Sequence, residues 1–185
     1  MRIAKLLRKY KKVLLLSLLV VGPMVAVIGF FMLFYERAVL SFSGVPEAVD
    51  LATNRKSQAV RIVVDDLGID LAIEEGRIIN GIWEISKKGA SHLNISANPS
   101  EGGNIVIYGH NKKYIFGSLP YIWIGDTVKI VNKNGETFKY KVTMKTSVKP
   151  DDLTYVLPKD EETLTIYTCT GFLDTLRSIV VAKPI

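Results

Sequence analysis

The only cysteine of the sequence, Cys169, ends an alternating, β-prone run that begins at Thr163. In such a strand Cys169 lies on the same side as Thr165 and Tyr167. A thiol with a pKa near ~8.5 needs a neighbouring imidazole or cation before it supplies a nucleophilic thiolate at neutral pH. A small buried hydrophobe is the commoner fate of a lone cysteine. Whether Cys169 is a nucleophile or a buried hydrophobic residue therefore depends on which side chains lie next to it.

Two other residues stand at predicted strand ends, where they can meet Cys169. His110 follows the strand 104–108, and Arg177 precedes the strand 178–182. His110 is suited to hold the thiol proton and to return it to a leaving amine. Arg177 is suited to stabilise an oxyanion because it stays charged and offers a planar fork of donors. If these side chains assemble, the set predicts acyl transfer through a thioester.

Short β-prone segments separated by turns must position these residues. Helix signals are scarce, and residues 132–135 are a hairpin signal between two alternating segments. This pattern predicts an all-β barrel or sandwich, in which strand ends at one rim bring His110 and Cys169 together. The second histidine, His92, is expected to be a surface or structural residue. The predicted strands are 60–64, 69–73, 104–108, 127–131, 137–142, 163–169 and 178–182.

The N-terminal part of the chain predicts a membrane anchor. Residues 1–12 carry six Lys or Arg and no acid, and residues 13–34 carry no charged side chain. A helix over the uncharged stretch is about 33 Å long, enough to cross a hydrocarbon core of ~30 Å. The positive-inside rule leaves the N-terminus in the cytoplasm and the C-terminal domain outside the cell, at the plasma membrane. The sequence predicts a basic cytoplasmic segment 1–12, an uncleaved transmembrane anchor 13–35, a spacer 36–59 and a catalytic domain 60–185.

The charge distribution argues against a nucleic-acid-binding protein. Of the 24 Lys and Arg, the 18 outside the basic N-terminal segment are balanced by 18 Asp and Glu. A folded domain without net positive charge lacks the electrostatic footprint of such proteins. One cysteine also excludes an internal disulfide, so the thiol of an outside domain is either buried or used.

Several segments, in the same order along the chain, resemble the sortase family. The strand 163–169 resembles the TLxTC-type signature that ends in the family's nucleophile. Residues 99–111 resemble its PGE-x-GN…GH stretch, with Ser100 in place of the usual glycine. Arg177 matches the arginine that precedes the family's last strand, and the resemblance covers about residues 60–183. The similar segments that lie between are 116–119 and 125–128.

The resemblance implies a sortase-like closed β-barrel of about eight strands with short helical turns, preceded by one N-terminal transmembrane helix. It implies a cysteine transpeptidase in which Cys169 is the nucleophile, His110 the acid and base, and Arg177 the group that stabilises oxyanion and substrate. Thr168, beside the nucleophile, is implied to orient the substrate. The family cleaves an LPxTG-like sorting signal between Thr and Gly, holds the acyl group on sulfur and passes it to an amine.

The partners implied by the resemblance are secreted proteins with a C-terminal sorting signal and an amine acceptor, such as a cell-wall peptide or a pilin lysine. No cofactor is implied, and no calcium site is assigned, although some members of the family have one. No long hydrophobic segment follows Arg177, and residues 38–58 contain no aspartate–aromatic lid motif. These features favour the single-anchor housekeeping or class D/E-like members.

Two rival enzyme classes fit the motif less well, and one alternative without enzymatic activity remains. An L,D-transpeptidase places Gly directly before its cysteine and Ser or Thr three residues before it, whereas Thr168 and Ile166 occupy those positions here. A papain-like hydrolase places its cysteine before its histidine, at a helix start. The remaining alternative is a membrane-tethered β-domain that binds a partner, with an inert buried Cys169 that resists alkylation.

Overall fold

The computed structural model describes residues 10, 17–32, 40–45 and 57–185, and the chain divides into two units between Glu36 and Arg37. In the first unit residues 17–32 are helical, and their apolar side chains are exposed. Among the described residues, no helix reaches the length and hydropathy of a membrane span. The predicted anchor extends at both ends beyond this helix, so its ends lie outside the described residues and the anchor remains a prediction.

Ten strands make up the regular structure that is described in the second unit. Four single-turn 3₁₀ helices connect some of them, at Asp65–Leu67, Leu119–Tyr121, Leu153–Tyr155 and Phe172–Asp174. The strands are β1 (Ala59–Val64), β2 (Ile69–Gly76), β3 (Ile78–Ile79), β4 (Ile82–Trp83), β5 (Ala90–Leu93), β6 (Asn104–Tyr108), β7 (Thr127–Asn132), β8 (Thr137–Val148), β9 (Thr163–Thr170) and β10 (Leu176–Pro184).

Eight of the strands close into a barrel, in the order β1-β2-β5-β6-β9-β10-β8-β7, and β3 pairs separately with β4. The predicted hairpin at 132–135 joins β7 to β8 in an antiparallel pair. Gly135 has a φ of 83°, a left-handed conformation that glycine adopts without strain. The predicted all-β barrel of about eight strands with short helical turns is therefore confirmed.

Two pairs of strands in the barrel are parallel, and one of them determines where the candidate residues meet. β6 runs parallel to β9, with Tyr108 opposite Tyr167. Parallel neighbours end at the same edge, so the residues that follow β6 and those at the end of β9 lie at the same rim of the barrel. The last of the strands, β10, returns antiparallel beside β9.

The barrel interior is filled by the inward side of the alternating strands. A loop between β6 and β7, which we call the plug, adds four buried apolar side chains to the interior core: Ile115, Phe116, Leu119 and Ile122. The loop is held by its own backbone hydrogen bonds, among them Phe116 N–H to the His110 carbonyl at 3.1 Å. This plug fixes the chain that leaves the end of β6.

A second apolar cluster covers the outer face of β6, β9 and β10. Its aromatic members, which we call the outer aromatic cluster, are Phe42, Trp83, Tyr108 and Tyr167, and all four are buried. The Tyr108 and Tyr167 rings stack at 5.4 Å, and Phe42 meets the Tyr167 ring edge-on at 5.0 Å. Phe42 belongs to residues 40–45, so this part of the predicted spacer packs on the barrel.

Candidate active site

Cys169 lies one residue before the end of β9, on the outer face of the barrel. The predicted alternation is confirmed, because Tyr167 and Cys169 join the outer cluster whereas Leu164 and Ile166 point into the interior core. The Cys169 side chain is buried, with only 2% of its surface exposed. The thiol therefore stands at the rim of the barrel but is shielded from solvent.

Arg177 is directly opposite Cys169 in the antiparallel pair of β9 with β10. This is the side-by-side placement that the sequence predicts if the two strands pair. Arg177 is also only 2% exposed. A guanidinium and a thiol thus occupy neighbouring positions on one face of the sheet.

The guanidinium of Arg177 is held by backbone carbonyls. One terminal nitrogen donates to the carbonyls of Asp174, at 3.0 Å, and Leu176, at 3.2 Å, and the other donates to the carbonyl of Ser41 at 3.2 Å. Its Nε–H is buried and has no hydrogen-bond partner among the described residues. A buried donor without an acceptor costs free energy, so this group is poised to take an anionic oxygen.

His110 reaches the same level of the barrel as Cys169. Each residue is two positions beyond one member of the Tyr108–Tyr167 pair. The parallel pairing continues past the end of β6, since the Gly109 amide donates to the Tyr167 carbonyl at 3.2 Å. Residues two apart along an extended chain share a face. From this register we infer that the half-buried His110 lies on the same side of the sheet as Cys169.

Gly109 allows the chain to approach the plug closely just before His110. A Cβ atom at this position would lie 3.0 Å from Ile115 Cγ2 and 3.0 Å from Phe116 Cδ2. That is closer than packed carbon atoms normally approach one another. The glycine thus fixes where the His110 backbone stands relative to the plug.

Thr168 faces the barrel interior, on the side of β9 opposite to Cys169. Its side chain is fully buried, and its hydroxyl donates to the Gly109 carbonyl at 2.9 Å. This bond ties the end of β9 to the residue before His110. In this structure Thr168 therefore holds the ends of β6 and β9 together. Its predicted contact with substrate remains a prediction.

Burial dominates the electrostatics of Cys169. Loss of water raises the pKa of Cys169 to about 12; the nearby Arg177 charge acts in the opposite direction, and Asp174 adds to the increase. The thiol is therefore protonated at neutral pH in this arrangement.

The segment 40–45, which we call the cover segment, packs in the same outer apolar cluster as Cys169. Its Leu40 carbonyl accepts a hydrogen bond from the Tyr167 hydroxyl at 3.0 Å, and its Ser41 hydroxyl accepts one from the Trp83 amide at 3.0 Å. Leu40 and Phe42 are each 1% exposed. Sequence reasoning treats this stretch as spacer, although the alternation of Leu40 and Phe42 with serines was a signal for an extended, one-sided segment.

His92 takes no part in this group. It lies in β5, is 1% exposed, and contacts Glu75 Oε1 through Nδ1 at 3.0 Å and the Ala97 carbonyl through Nε2 at 2.9 Å. These bonds join β2 to the loop after β5, so the residue is structural. Within the described ranges, no three His, Cys, Asp or Glu side chains group in a way that could hold a metal ion.

The comparison with protein families decides what this barrel is. A model of the sortase domain matches residues 62–185. The chain belongs to the sortase family. This sortase is 29% identical over 138 residues to Sortase D of Bacillus subtilis (strain 168), a match that spans 70% of this chain and 67% of the relative.

Solved structures support the same assignment. This sortase is similar to the Sortase D5 transpeptidase of Clostridium perfringens, with a TM-score of 0.59, 28% identity, and coverage of 69% of this chain and 79% of that one. It is also similar to sortase C-1 of Actinomyces oris, with a TM-score of 0.59, 25% identity, and coverage of 68% and 71%. The predicted family and its barrel are therefore confirmed, and the family is one of transpeptidases.

Proposed function

We propose that this sortase is a membrane-anchored cysteine transpeptidase that cleaves an LPxTG-like sorting signal between threonine and glycine. The observation that carries the proposal is the pairing of Arg177 with Cys169, beside the strand end that leads to His110. Acyl transfer through sulfur uses a nucleophile, a proton carrier and a donor to the oxyanion, and a fixed cation can serve as that donor.

The reaction divides into two acyl transfers. In the first, Cys169 Sγ attacks the threonine carbonyl carbon as the thiol proton passes to His110, and Arg177 donates to the oxyanion. The C–N bond to glycine breaks, and His110 returns the proton to the departing amine. In the second, an amine attacks the thioester and loses a proton to His110, and the thiol is restored. The amine belongs to a cell-wall peptide or a pilin lysine, and water is the default acceptor.

The proposed site of action is the outer surface of the plasma membrane. In the helix at 17–32, apolar side chains such as Leu19 and Phe31 are each 72% exposed. A helix that is apolar on all sides is suited to a lipid environment. Together with the basic segment before it, this supports an anchor whose N-terminus is cytoplasmic and whose barrel is extracellular.

The test is to trap the acyl-enzyme. The full chain in detergent micelles is mixed with a library of LPxTG-like peptides, and wild type is compared with Cys169→Ala by intact-mass spectrometry. We expect an adduct that retains the N-terminal part of the peptide, is absent in Cys169→Ala and is released by hydroxylamine. Absence of an adduct from every peptide would favour the alternative of a partner-binding β-domain with an inert cysteine.

A further inference from the structure

Four lysines cluster on the outer side of the sheet that β7, β8 and β10 form. Lys129 is opposite Lys139 where β7 pairs with β8. Lys141 is opposite Lys183 where β8 pairs with β10. Tyr140, between the two lysines of β8, belongs to the interior core, so these lysines and their cross-strand partners point outward. We call Lys129, Lys139, Lys141 and Lys183 the basic face.

The acidic neighbours of the basic face balance only part of its charge. Lys129 contacts Asp65, and Lys183 contacts Glu161 at 3.2 Å. The other two lysines of the face are exposed, and neither has a hydrogen-bond or ion-pair partner among the described residues. Like charges directly opposite each other in a sheet are destabilising, and two such pairs stand side by side here. An anionic ligand that neutralised them would relieve this repulsion.

The basic face lies on the same side of the barrel wall as Cys169. Beyond a register shift, Met144 and Thr146 are opposite two β10 residues of the second apolar cluster, so they also point outward. The Met144 side is open, with 45% of the residue exposed. At the end of the same strand, Val148 is opposite Arg177, which is itself the register partner of Cys169. The outer side of β8 thus connects the basic face to the candidate active site.

The separation between the basic face and the active site sets the length of chain that can reach both. Lys183 is six residues from Arg177 on β10, a distance of about 20 Å along an extended strand. An extended peptide covers this distance in about six residues. Lysines two residues apart on a strand repeat at about 7 Å, as do carboxylates at alternate positions of an extended peptide. The spacing of the face therefore suits an acidic polypeptide segment.

We propose that the basic face binds an acidic segment of the sorted protein, at least about six residues before the sorting signal. The inference rests on the proposed function for the signal and adds a substrate class, namely proteins in which carboxylate side chains precede the signal. The part before the signal stays on the enzyme through both acyl transfers, whereas the part after it departs in the first. A contact with the retained part therefore serves both steps.

The experiment compares two peptides that differ only in charge. Each carries an LPxTG-like signal preceded by a linker of about six Gly and Ser residues and by a stem in which serine alternates with glutamate or with glutamine. The enzyme is the full chain in a nonionic detergent. At about 20 mM salt we expect the glutamate stem to raise kcat/KM about tenfold, through KM rather than kcat, because several weak ion pairs act together. At about 0.5 M salt the difference should disappear.

The double variant Lys139→Gln, Lys141→Gln tests the face itself. We expect the ratio of kcat/KM for the two stems to fall to about one, while the melting temperature stays the same or rises because repulsion is removed. The matched control is Lys87→Gln, Lys88→Gln, which removes two exposed charges from the loop before β5, opposite β8 in the order of the barrel. This control should keep the preference for the glutamate stem.

Reversal of the charge sharpens the test. The double variant Lys139→Glu, Lys141→Glu is expected to prefer a stem in which lysine replaces glutamate. Equal kcat/KM for the two stems in wild type would overturn the proposal. So would equal loss of the preference in the glutamine variants of the face and of the loop before β5, or a stem that acts only when it follows the signal.

Direct binding separates failure of this proposal from failure of the proposed function. Fluorescence anisotropy of a labelled glutamate stem that lacks a signal needs no catalysis. If wild type binds this stem, Lys139→Gln, Lys141→Gln does not, and no signal peptide forms an adduct, the basic face stands and the transpeptidase assignment falls. If adducts form at rates that the charge of the stem does not change, the transpeptidase stands and the basic face falls.

Discussion

The Thr168 hydroxyl donates to the carbonyl of Gly109 and so joins the strand end that carries Cys169 to the one that carries His110. We expect Thr168→Val to lower kcat about tenfold to a hundredfold with little change in KM, because small displacements of reacting groups are costly in rate. Thr168→Ser, which keeps the hydroxyl, should retain most of the activity. Steady-state kinetics with a cleavable sorting peptide measures both constants.

The matched control for this substitution is Thr165→Val. Thr165 is also fully buried in β9, four residues before Cys169, and its hydroxyl donates to Asn104 Oδ1 at 2.8 Å. Thr165→Val should lower the melting temperature without a selective loss of kcat. Equal losses of kcat in Thr168→Val and Thr165→Val would contradict a positioning role that is specific to Thr168.

Arg177 is expected to act through the shape of its guanidinium as well as through its charge. Arg177→Ala should fold but lose about 10²–10³ in kcat, the usual effect of removing one oxyanion donor. Arg177→Lys should recover little, because an ammonium does not reproduce the planar fork. Peptide cleavage measures the loss, and circular dichroism reports folding.

A control for charge and size is Arg61→Lys, since Arg61 is an exposed partner of Asp70 on β1 and β2. Exposed ion pairs contribute little to stability, so we expect kinetics and melting temperature close to wild type. Full activity in Arg177→Lys would contradict the forked-donor role.

The pH dependence of alkylation should show the raised pKa of Cys169. Only thiolate reacts, and its fraction rises tenfold per pH unit below the pKa. With a pKa of about 12 in the covered state, the rate for wild type should continue to rise from pH 7 to pH 10. A plateau at or below pH 8.5 in wild type would contradict this.

Gly109→Ala tests whether the plug fixes the position of His110. The added methyl would meet Ile115 and Phe116 at 3.0 Å, and overpacking of this kind costs about 1–3 kcal/mol. We expect a lower melting temperature. We also expect a loss of kcat larger than the increase in unfolded protein accounts for. Gly29→Ala, where no atom lies within 4 Å of the added methyl, is the control. Wild-type kinetics in Gly109→Ala would show that the loop adapts without moving His110.

The sequence alone predicted those features of the fold that depend on residues close together in the chain. Alternation from Thr163 to Cys169 predicts which side chains point outward, and the turn before Arg177 predicts the return strand. The structure confirms both, because the two residues are register partners. The hairpin between β7 and β8 was readable for the same reason.

What the sequence did not reveal depends on contacts between distant residues. The Leu40 carbonyl meets Tyr167 across 127 positions, and Ser41 meets Arg177 across 136. Two apolar residues in a polar stretch carry too little periodicity to predict such packing. Burial of His92 likewise depends on the parallel pairing of β2 with β5, which no local pattern specifies.

Closure of the barrel limits how a peptide can be recognised on its surface. Every barrel strand in the described part of the chain has a neighbour on both sides, but some pairings cover only part of a strand. In β8, residues 137–141 pair with β7, whereas the register with β10 continues to Val148. Where a strand is paired on both sides, it cannot accept an extended peptide by β-augmentation. There, main-chain groups of a bound peptide pair with side chains and loop carbonyls, as those of the cover segment do with Tyr167, Arg177 and Pro150. The groups that bind such a peptide can thus be altered at Tyr167 and Arg177, whose side chains donate, without rebuilding the sheet.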